Sequence, residues 1–216
     1  EKGTFNLHTS LLPQYRGSAP INWVIINGEK ETGVTTFFLS HEIDTGNIIF
    51  QEKTAISEED NAQSLHDRLM EMGARLVLKT VDAVLDGKVE TKPQHDVILT
   101  EKELKPAPKI FKETCRIHWN KTVAETYDFI RGLSPLPAAW TTFSSDNNLT
   151  LKIFAGEKIE KLHALSFGAI VTDNKTYVDV AVKNGFIRLR EVQLSGKKRM
   201  NIKDFLNGFK FEEGEA

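Results

Sequence analysis

The stretch Phe5-Asn6-Leu7-His8-Thr9-Ser10-Leu11-Leu12-Pro13-Gln14-Tyr15-Arg16-Gly17-Ser18-Ala19-Pro20 carries the reading of this chain. Thr4 to His8 has the pattern of a short strand, and Leu11 to Gly17, punctuated by Pro13 and Gly17, reads as a loop. Alternation along a strand places Asn6 and His8 on one face, with Ser10 on the same side if the strand continues. Pro20 suits the first turn of a helix, and Ile21 to Asn27 reads as that helix, stopped by Gly28. An amide and an imidazole side by side suit acyl transfer, the amide for a developing oxyanion and the imidazole for protons near neutral pH. Taken alone, such a pair is more often a satisfied polar contact near a strand end.

Outward from there, Val34 to Leu39 is β-branched and aromatic and reads as a strand, Ser40 to Asn47 as a polar loop, and Ile48 to Ile56 as another strand. Asp44-Thr45-Gly46 lies in that loop, where a carboxylate can orient or charge an imidazole or simply shape a turn. Ser57-Glu58-Glu59-Asp60 offers a cap residue and first-turn acids. Leu65, Leu69, Met72, Leu76, Val77, Val81, Val84 and Leu85 then recur at helical spacing, up to Gly87. One long helix is expected, with a kink near Gly73. Residues 88–113 lose periodicity, are stiffened by Pro93, Pro106 and Pro108, and read as a linker wrapped on the surface.

The second half, residues 114–216, opens with a helix over Thr122 to Ile130, ending at Gly132. Strand-like runs follow at Trp140 to Phe143, Leu149 to Ile159, Phe167 to Thr172 and Tyr177 to Val192, the last broken by the hairpin signal Asn184-Gly185. Asn201 to Leu206 reads as a short closing helix. Short strands around turns with little helix predict a small, OB-like β-barrel.

Composition narrows the class. With 40% hydrophobic and 27% charged residues the chain resembles an ordinary soluble protein, not a disordered or fibrous one. No run approaches the about 18 apolar residues of a membrane span, so no membrane partner is expected. Cys115 is the single cysteine, which excludes an internal disulfide and a Cys-rich zinc site and fits a reducing cytoplasm. Charge divides unevenly: residues 1–113 carry 13 Lys and Arg against 18 Asp and Glu, whereas residues 114–216 carry 15 against 12. The basic excess of the second half hints at a polyanion or is solvated surface. Glu1-Lys2-Gly3 has no initiator Met and runs almost directly into a strand, so the chain is expected to lack its beginning.

The opening stretch resembles the signature of the 10-formyltetrahydrofolate-dependent formyltransferases, an Asn-x-His strand running into Ser-Leu-Leu-Pro-x-x-Arg-Gly-x-x-Pro. Asp44-Thr45-Gly46 matches that family's Asp-x-Gly loop. The resemblance implies formyl transfer by Asn6, His8 and Asp44, with 10-formyltetrahydrofolate as co-substrate and no metal. Asn6 and protonated His8 hydrogen-bond the oxyanion, and Asp44 charges His8 and helps move a proton. Ser10, Leu11, Leu12 and Pro13 are assigned to the folate side; for Ser10 the alternative is that it only finishes the strand. Arg16 meets an anionic substrate group or makes a structural ion pair.

Within the family, Ala107-Pro108-Lys109-Ile110-Phe111-Lys112 with Arg116-Ile117-His118-Trp119 resembles the linker of the methionyl-tRNA formyltransferases. His118 stands there where an acid is usual. Ile130-Arg131-Gly132-Leu133-Ser134-Pro135-x-Pro137-x-Ala139-Trp140-Thr141 and Gly196-Lys197-Lys198-Arg199-Met200 resemble the C-terminal domain of the same branch, with Arg131 and Trp140 read as packing residues. The resemblance implies initiator methionyl-tRNA as partner, touched by Lys109 and by Lys197, Lys198 and Arg199. For that basic turn the alternative is a solvated turn closing the barrel.

The implied organisation is residues 1–88 as the C-terminal half of a Rossmann-like transferase domain, 89–113 as linker and 114–216 as a tRNA-binding barrel, the whole a monomer. The family's first βα half, with most of the folate pocket, is expected to be missing from this chain. The strand of Asn6 and His8 is then expected at the centre of a parallel sheet, exposed without its neighbours, in a chain that is partial or inactive. An RNA-binding barrel without chemistry and a sugar-nucleotide formyltransferase are the alternatives.

Overall fold

The computed structural model describes residues 3–97, 104–142 and 149–211. The chain divides into two compact units, one of Glu1–Val24 with Glu29–Ile110, the other of Ile25–Gly28 with Phe111–Ala216.

In the first unit, strands β1 (Phe5–His8), β2 (Glu31–Phe38) and β3 (Ile48–Ala55) form a sheet in that order, both pairings antiparallel. Helix α1 (Pro20–Ile26) lies between β1 and β2 in sequence, and α2 (Ala62–Leu85) follows β3 and packs on the sheet. The middle strand β2 is buried without interruption from Thr32 to Phe37, as a strand covered on both faces must be. On one face Thr36 Oγ1 meets Thr80 Oγ1 of α2 at 2.9 Å; on the other, Thr35 Oγ1 donates to the Ser10 carbonyl at 2.6 Å and accepts from the Leu12 N–H at 3.2 Å. Leu65, Leu69 and Leu76 are fully buried at helical spacing, each contributing roughly 1.5–3 kcal/mol by leaving water.

Five expectations change. The sheet is antiparallel, not parallel; β1, whose only strand partner among the described residues is β2, lies at its edge, in keeping with a strand expected to lack neighbours. The helix starts at Ala62: Asn61 is its cap, accepting from the Ser64 N–H while Ser64 Oγ accepts from the Asn61 N–H. Asp60, expected as a first-turn acid, instead accepts from the Ser57 N–H and pairs with Arg68. The helix is continuous through Gly73, whose missing side chain makes room for Leu7, where a Cβ would come within 2.6 Å of the leucine methyl. Val81 and Leu85 face solvent, and the buried stripe ends on Thr80.

The segment after α2 is pinned rather than loose. Lys92 and Ile48 exchange backbone hydrogen bonds at 2.8 and 2.9 Å, and a 3-10 turn covers Gln94–Val97. Further on, Tyr15 N–H donates to the Lys105 carbonyl at 2.7 Å, Ala107 N–H to the Arg16 carbonyl at 2.8 Å, and Trp23 Nε1–H to the Pro108 carbonyl at 2.8 Å.

The second unit holds helix α3 (Val123–Gly132), strands β4 (Ala139–Thr142), β5 (Thr150–Glu160), β6 (Ile170–Thr172), β7 (Val178–Val182), β8 (Gly185–Leu194) and β9 (Met200–Asn201), and helix α4 (Ile202–Gly208). The sheet order is β4-β5-β8-β7-β6, antiparallel, with β9 beside β8. Register shifts at Ile153/Ala155 and Ala155/Gly156 bend β5, as bulges do. Among the described residues the sheet does not close: the short strands β4 and β6, which end its path, do not pair with each other. Phe143, expected at the end of β4, lies outside the described residues. Thr122 and Glu125 make the capping box of α3. The β7–β8 turn is Lys183-Asn184, since Val182 pairs with Gly185, and Asn184 Oδ1 accepts from the Val123 N–H at 3.0 Å.

Candidate active site

Strand alternation carries the first two groups. Asn6 and His8 point to one face of β1 while Leu7 points to α2. Asn6 is exposed, and its Oδ1 accepts from the Leu7 N–H at 2.9 Å, which leaves the NH2 end as its donor. His8 is only 7% exposed. Its Nε2 lies 2.8 Å from the Tyr15 carbonyl, so Nε2 carries a proton and donates. Its Nδ1 faces Asp44 Oδ2 at 3.8 Å, inside ion-pair range and outside hydrogen-bond range. The ring is oriented through one nitrogen and presents the other to a carboxylate.

Each partner of His8 is held in turn. Tyr15 adopts a left-handed backbone, φ +59°, that aims its carbonyl at the ring. Its hydroxyl donates to Glu29 at 2.5 Å, and Lys105 Nζ reaches the same oxygen at 2.6 Å. Burial raises the Glu29 pKa, but the hydrogen bonds from Lys105 and Tyr15 and the Lys105 charge outweigh it and leave it lowered. Asp44 also has a left-handed backbone, φ +57°, and its Oδ2 accepts from the Gly17 N–H at 3.0 Å. Two glycines permit these approaches. A Cβ on Gly46 would lie 1.6 Å from the Phe38 carbonyl, and one on Gly17, at φ +127°, 2.3 Å from the Ala107 carbonyl.

The remaining expected site residues divide by place. Ser10 is fully buried and its hydroxyl donates to the Gln14 carbonyl at 2.6 Å, so it shapes the loop. Leu12 is a core residue beside Phe37 and Ile48, with its carbonyl accepting from Gln51; Leu11 is half-buried and Pro13 buried. Arg16 Nε and Nη2 donate to Gln94 Oε1 at 3.1 and 2.6 Å, so its guanidinium is engaged within the unit. Lys109 is exposed. In the second unit Lys197 and Lys198 sit exposed in the turn before β9. Arg199 pairs with Glu191 at 2.5 Å and lies 4.2 Å over the Phe154 ring. Arg131, paired with Asp128 at 2.7 Å, and Trp140, donating to the Lys112 carbonyl at 2.8 Å, are packing residues as expected.

Gln94 was not legible in the sequence. It is 3% exposed, and its Nε2 donates to the carbonyls of Asp44 and Gly46, both at 2.8 Å. A lone amide after Pro93 carries no periodicity or motif to mark it. Tyr15, Glu29 and Lys105 likewise act through contacts that only the fold creates. Among the described residues no group of three His, Cys, Asp or Glu is placed to hold a metal ion, and no helix is long and apolar enough to cross a membrane.

Comparison with known proteins bears on this arrangement. The family model described as "Formyl transferase" matches residues 1–81, and that described as "Formyl transferase, C-terminal domain" matches residues 109–210. A methionyl-tRNA formyltransferase from Parabacteroides distasonis is 61% identical over 210 residues, covering 96% of this chain and 65% of the relative. One from Phocaeicola vulgatus is 60% identical with the same coverage. The chain thus spans about 65% of the length of the curated relatives it matches. Among solved structures, an N-formyltransferase from Helicobacter canadensis, in complex with folinic acid and dTDP-3-aminofucose, superposes with a TM-score of 0.66 at 21% identity, covering 91% of this chain and 66% of that one. HypX from Aquifex aeolicus superposes with a TM-score of 0.67 at 20% identity, covering 97% of this chain and 36% of that one. At those identities the superpositions speak for the fold alone. With its Asn-x-His strand, its Asp-x-Gly loop and both domain models matched, the chain belongs to the formyl transferase family.

Proposed function

We propose that the protein transfers a formyl group from 10-formyltetrahydrofolate to the amino group of methionyl-initiator tRNA, in translation initiation. The observation that carries this is His8, fixed through Nε2 by a backbone carbonyl and facing Asp44 through Nδ1. The relatives at 60–61% identity bear the methionyl-tRNA formyltransferase name, which favours that acceptor over an amino-sugar nucleotide.

The folate supplies an activated formyl carbon. The attacking amine forms a C–N bond there, and the bond to the folate nitrogen breaks as a proton passes to it. Asn6 donates its amide N–H and His8 its Nδ1–H to the oxygen that gains charge between those events. Asp44 balances the imidazolium and serves as a base for the ammonium proton. With Nε2 committed to Tyr15, Nδ1 is the working nitrogen, and the 3.8 Å gap to Asp44 lets its proton turn to a reacting oxygen. The loop from Ser10 to Pro13 borders the donor through its backbone, since the side chains of Ser10 and Leu12 are buried.

In the same reading the first unit is the C-terminal half of a Rossmann-like transferase domain, and the curved sheet of the second is an OB-like barrel that binds tRNA. Lys197 and Lys198 contact the tRNA backbone, Lys109 faces it from the linker, and the protein works as a cytoplasmic monomer.

Formylation assayed with initiator methionyl-tRNA and 10-formyltetrahydrofolate tests this. Transfer that fails in His8→Ala supports it. Formylation of an amino-sugar nucleotide, with none of the tRNA, overturns it. Fluorescence anisotropy of the tRNA across salt tests the binding half of the reading: affinity that falls steeply with salt supports RNA binding, and no binding at low salt overturns it.

A further inference from the structure

We infer that Gln94 is a positioning residue for the proposed formyl transfer, acting through Asp44; the inference rests on that reading of the site. Its amide uses every bond it can make in the plane of two loops. Nε2 donates both hydrogens, one to the Asp44 carbonyl and one to the Gly46 carbonyl, each at 2.8 Å. Oε1 accepts from Arg16 Nε and Nη2. One buried side chain thereby joins the β2–β3 loop, which carries the carboxylate, to the loop after β1, which carries Gly17.

The consequence falls on the Asp44 carboxylate. Its position is set by a left-handed backbone and by the Gly17 N–H at 3.0 Å. A non-glycine residue in that conformation is held there by its surroundings. Gln94 bonds the carbonyl of that same residue, and it bonds the Arg16 side chain one residue before Gly17. Both ends of the Asp44–Gly17 contact therefore depend on it, and with them the place of Oδ2 opposite His8 Nδ1. The geometry demands glutamine. Glutamate would turn a carboxylate oxygen on two carbonyls, and asparagine is one methylene short of bridging both loops. Gln94 belongs to the segment between the two matched family regions, outside both of them.

The test uses the protein with Gln94→Glu, which keeps volume and the acceptor for Arg16 and puts a charged carboxylate oxygen in place of the two donors. Gln94→Ala is the second variant. His95→Ala, on the same turn and exposed, is the control. Two readouts are taken: kcat and KM for formyl transfer, and the backbone amide signal of Gly17 by NMR. Both Gln94 variants are expected to lose about 10–100-fold in kcat, the loss that misplacing a reacting group by an ångström brings, with KM changed less than about threefold. The Gly17 amide is expected to shift upfield and exchange at least about tenfold faster, the loss of one hydrogen bond. His95→Ala should match the parent in both. A kcat within about twofold of the parent and an unmoved Gly17 amide in Gln94→Glu overturn the inference. A fall in kcat matched by a rise in KM and a lowered melting temperature also overturns it, as general loosening. If the parent protein transfers no formyl group, the proposed function falls. The Gly17 amide then still decides: shifted in Gln94→Glu it upholds the positioning, unmoved it overturns it.

Discussion

The carboxylate of Asp44 accepts from the backbone N–H of Gly17 at 3.0 Å, so the charge facing His8 is aimed by a loop from another part of the chain. Asparagine at 44 retains an acceptor for Gly17 and removes the charge. Asp44→Asn is expected to lower kcat by roughly 10²–10⁴-fold, the range for removing an acid–base group, with an unchanged melting temperature. Steady-state formylation beside a thermal melt checks both halves.

Gly46→Ala has a different signature. Its Cβ would lie 1.6 Å from the Phe38 carbonyl, a backbone atom that cannot swing aside. The strand end must move, and a cost above about 2 kcal/mol is expected, as for other forced backbone shifts. Urea unfolding should show a lower midpoint for the transition of the first unit. An unchanged midpoint would mean that the Asp-x-Gly loop relaxes freely.

Acid should loosen the clasp around Tyr15. Glu29 has a pKa below its ordinary 4.5, held there by Lys105 and Tyr15 against burial. A carboxylate lowered in the folded state stabilises fully above its unfolded pKa and loses that contribution as pH falls through the folded value. The stability difference between the parent and Glu29→Gln is thus expected to be constant from neutral pH to about pH 5 and to shrink below 4.5. Chemical denaturation at stepped pH measures it.

In the second unit, Arg188 Nε and Nη2 donate to both oxygens of Asp179 at 2.7 and 2.8 Å, across directly paired positions of β7 and β8. Asp179 is 7% exposed, so Arg188→Ala strands a buried carboxylate. A loss of roughly 2–3 kcal/mol is expected, and the double replacement with Asp179→Ala should cost less than the sum of the singles. A double-mutant cycle in denaturant gives the coupling.

The basic turn should split into two behaviours. Lys197→Ala and Lys198→Ala are expected to reduce the salt dependence of tRNA binding, with a change of about one in slope for each phosphate no longer engaged, and to leave stability alone. Arg199→Ala should lower the melting temperature through Glu191 and Phe154. Anisotropy across salt and thermal melts distinguish them.

Much of the fold stood in local pattern. The strand of Asn6 and His8, the strands before and after Asp44, the helix ending before Gly87 and the break near Asn184 all follow from alternation, spacing and turn chemistry. The start of α2 did not, because Asp60 binds Ser57 and Arg68 and hands the cap to Asn61. Thr80 did not, because a buried hydroxyl matters only when Thr36 is opposite. The site shows the same division. Asn6, His8 and Asp44 were marked by motif, but Gln94 and the Tyr15 carbonyl join them through tertiary contact, which leaves no trace in spacing.

The pinned segment after α2 has a consequence for how such a chain can be cut or lengthened. Interdomain tethers usually tolerate insertion and nicking, because nothing depends on their path. Here a truncation after residue 88 would leave all three strands of the first unit and α2 intact by sequence, yet strip the groups that bond Tyr15, Arg16, Asp44 and Ile48. The excised piece would keep Asn6, His8 and Asp44, the side chains proposed to act in transfer, and lose their alignment. A cut anywhere before Pro108 therefore removes contacts that hold this unit's loops, and extra residues inserted next to Lys92, Gln94 or Ala107 would be felt at His8.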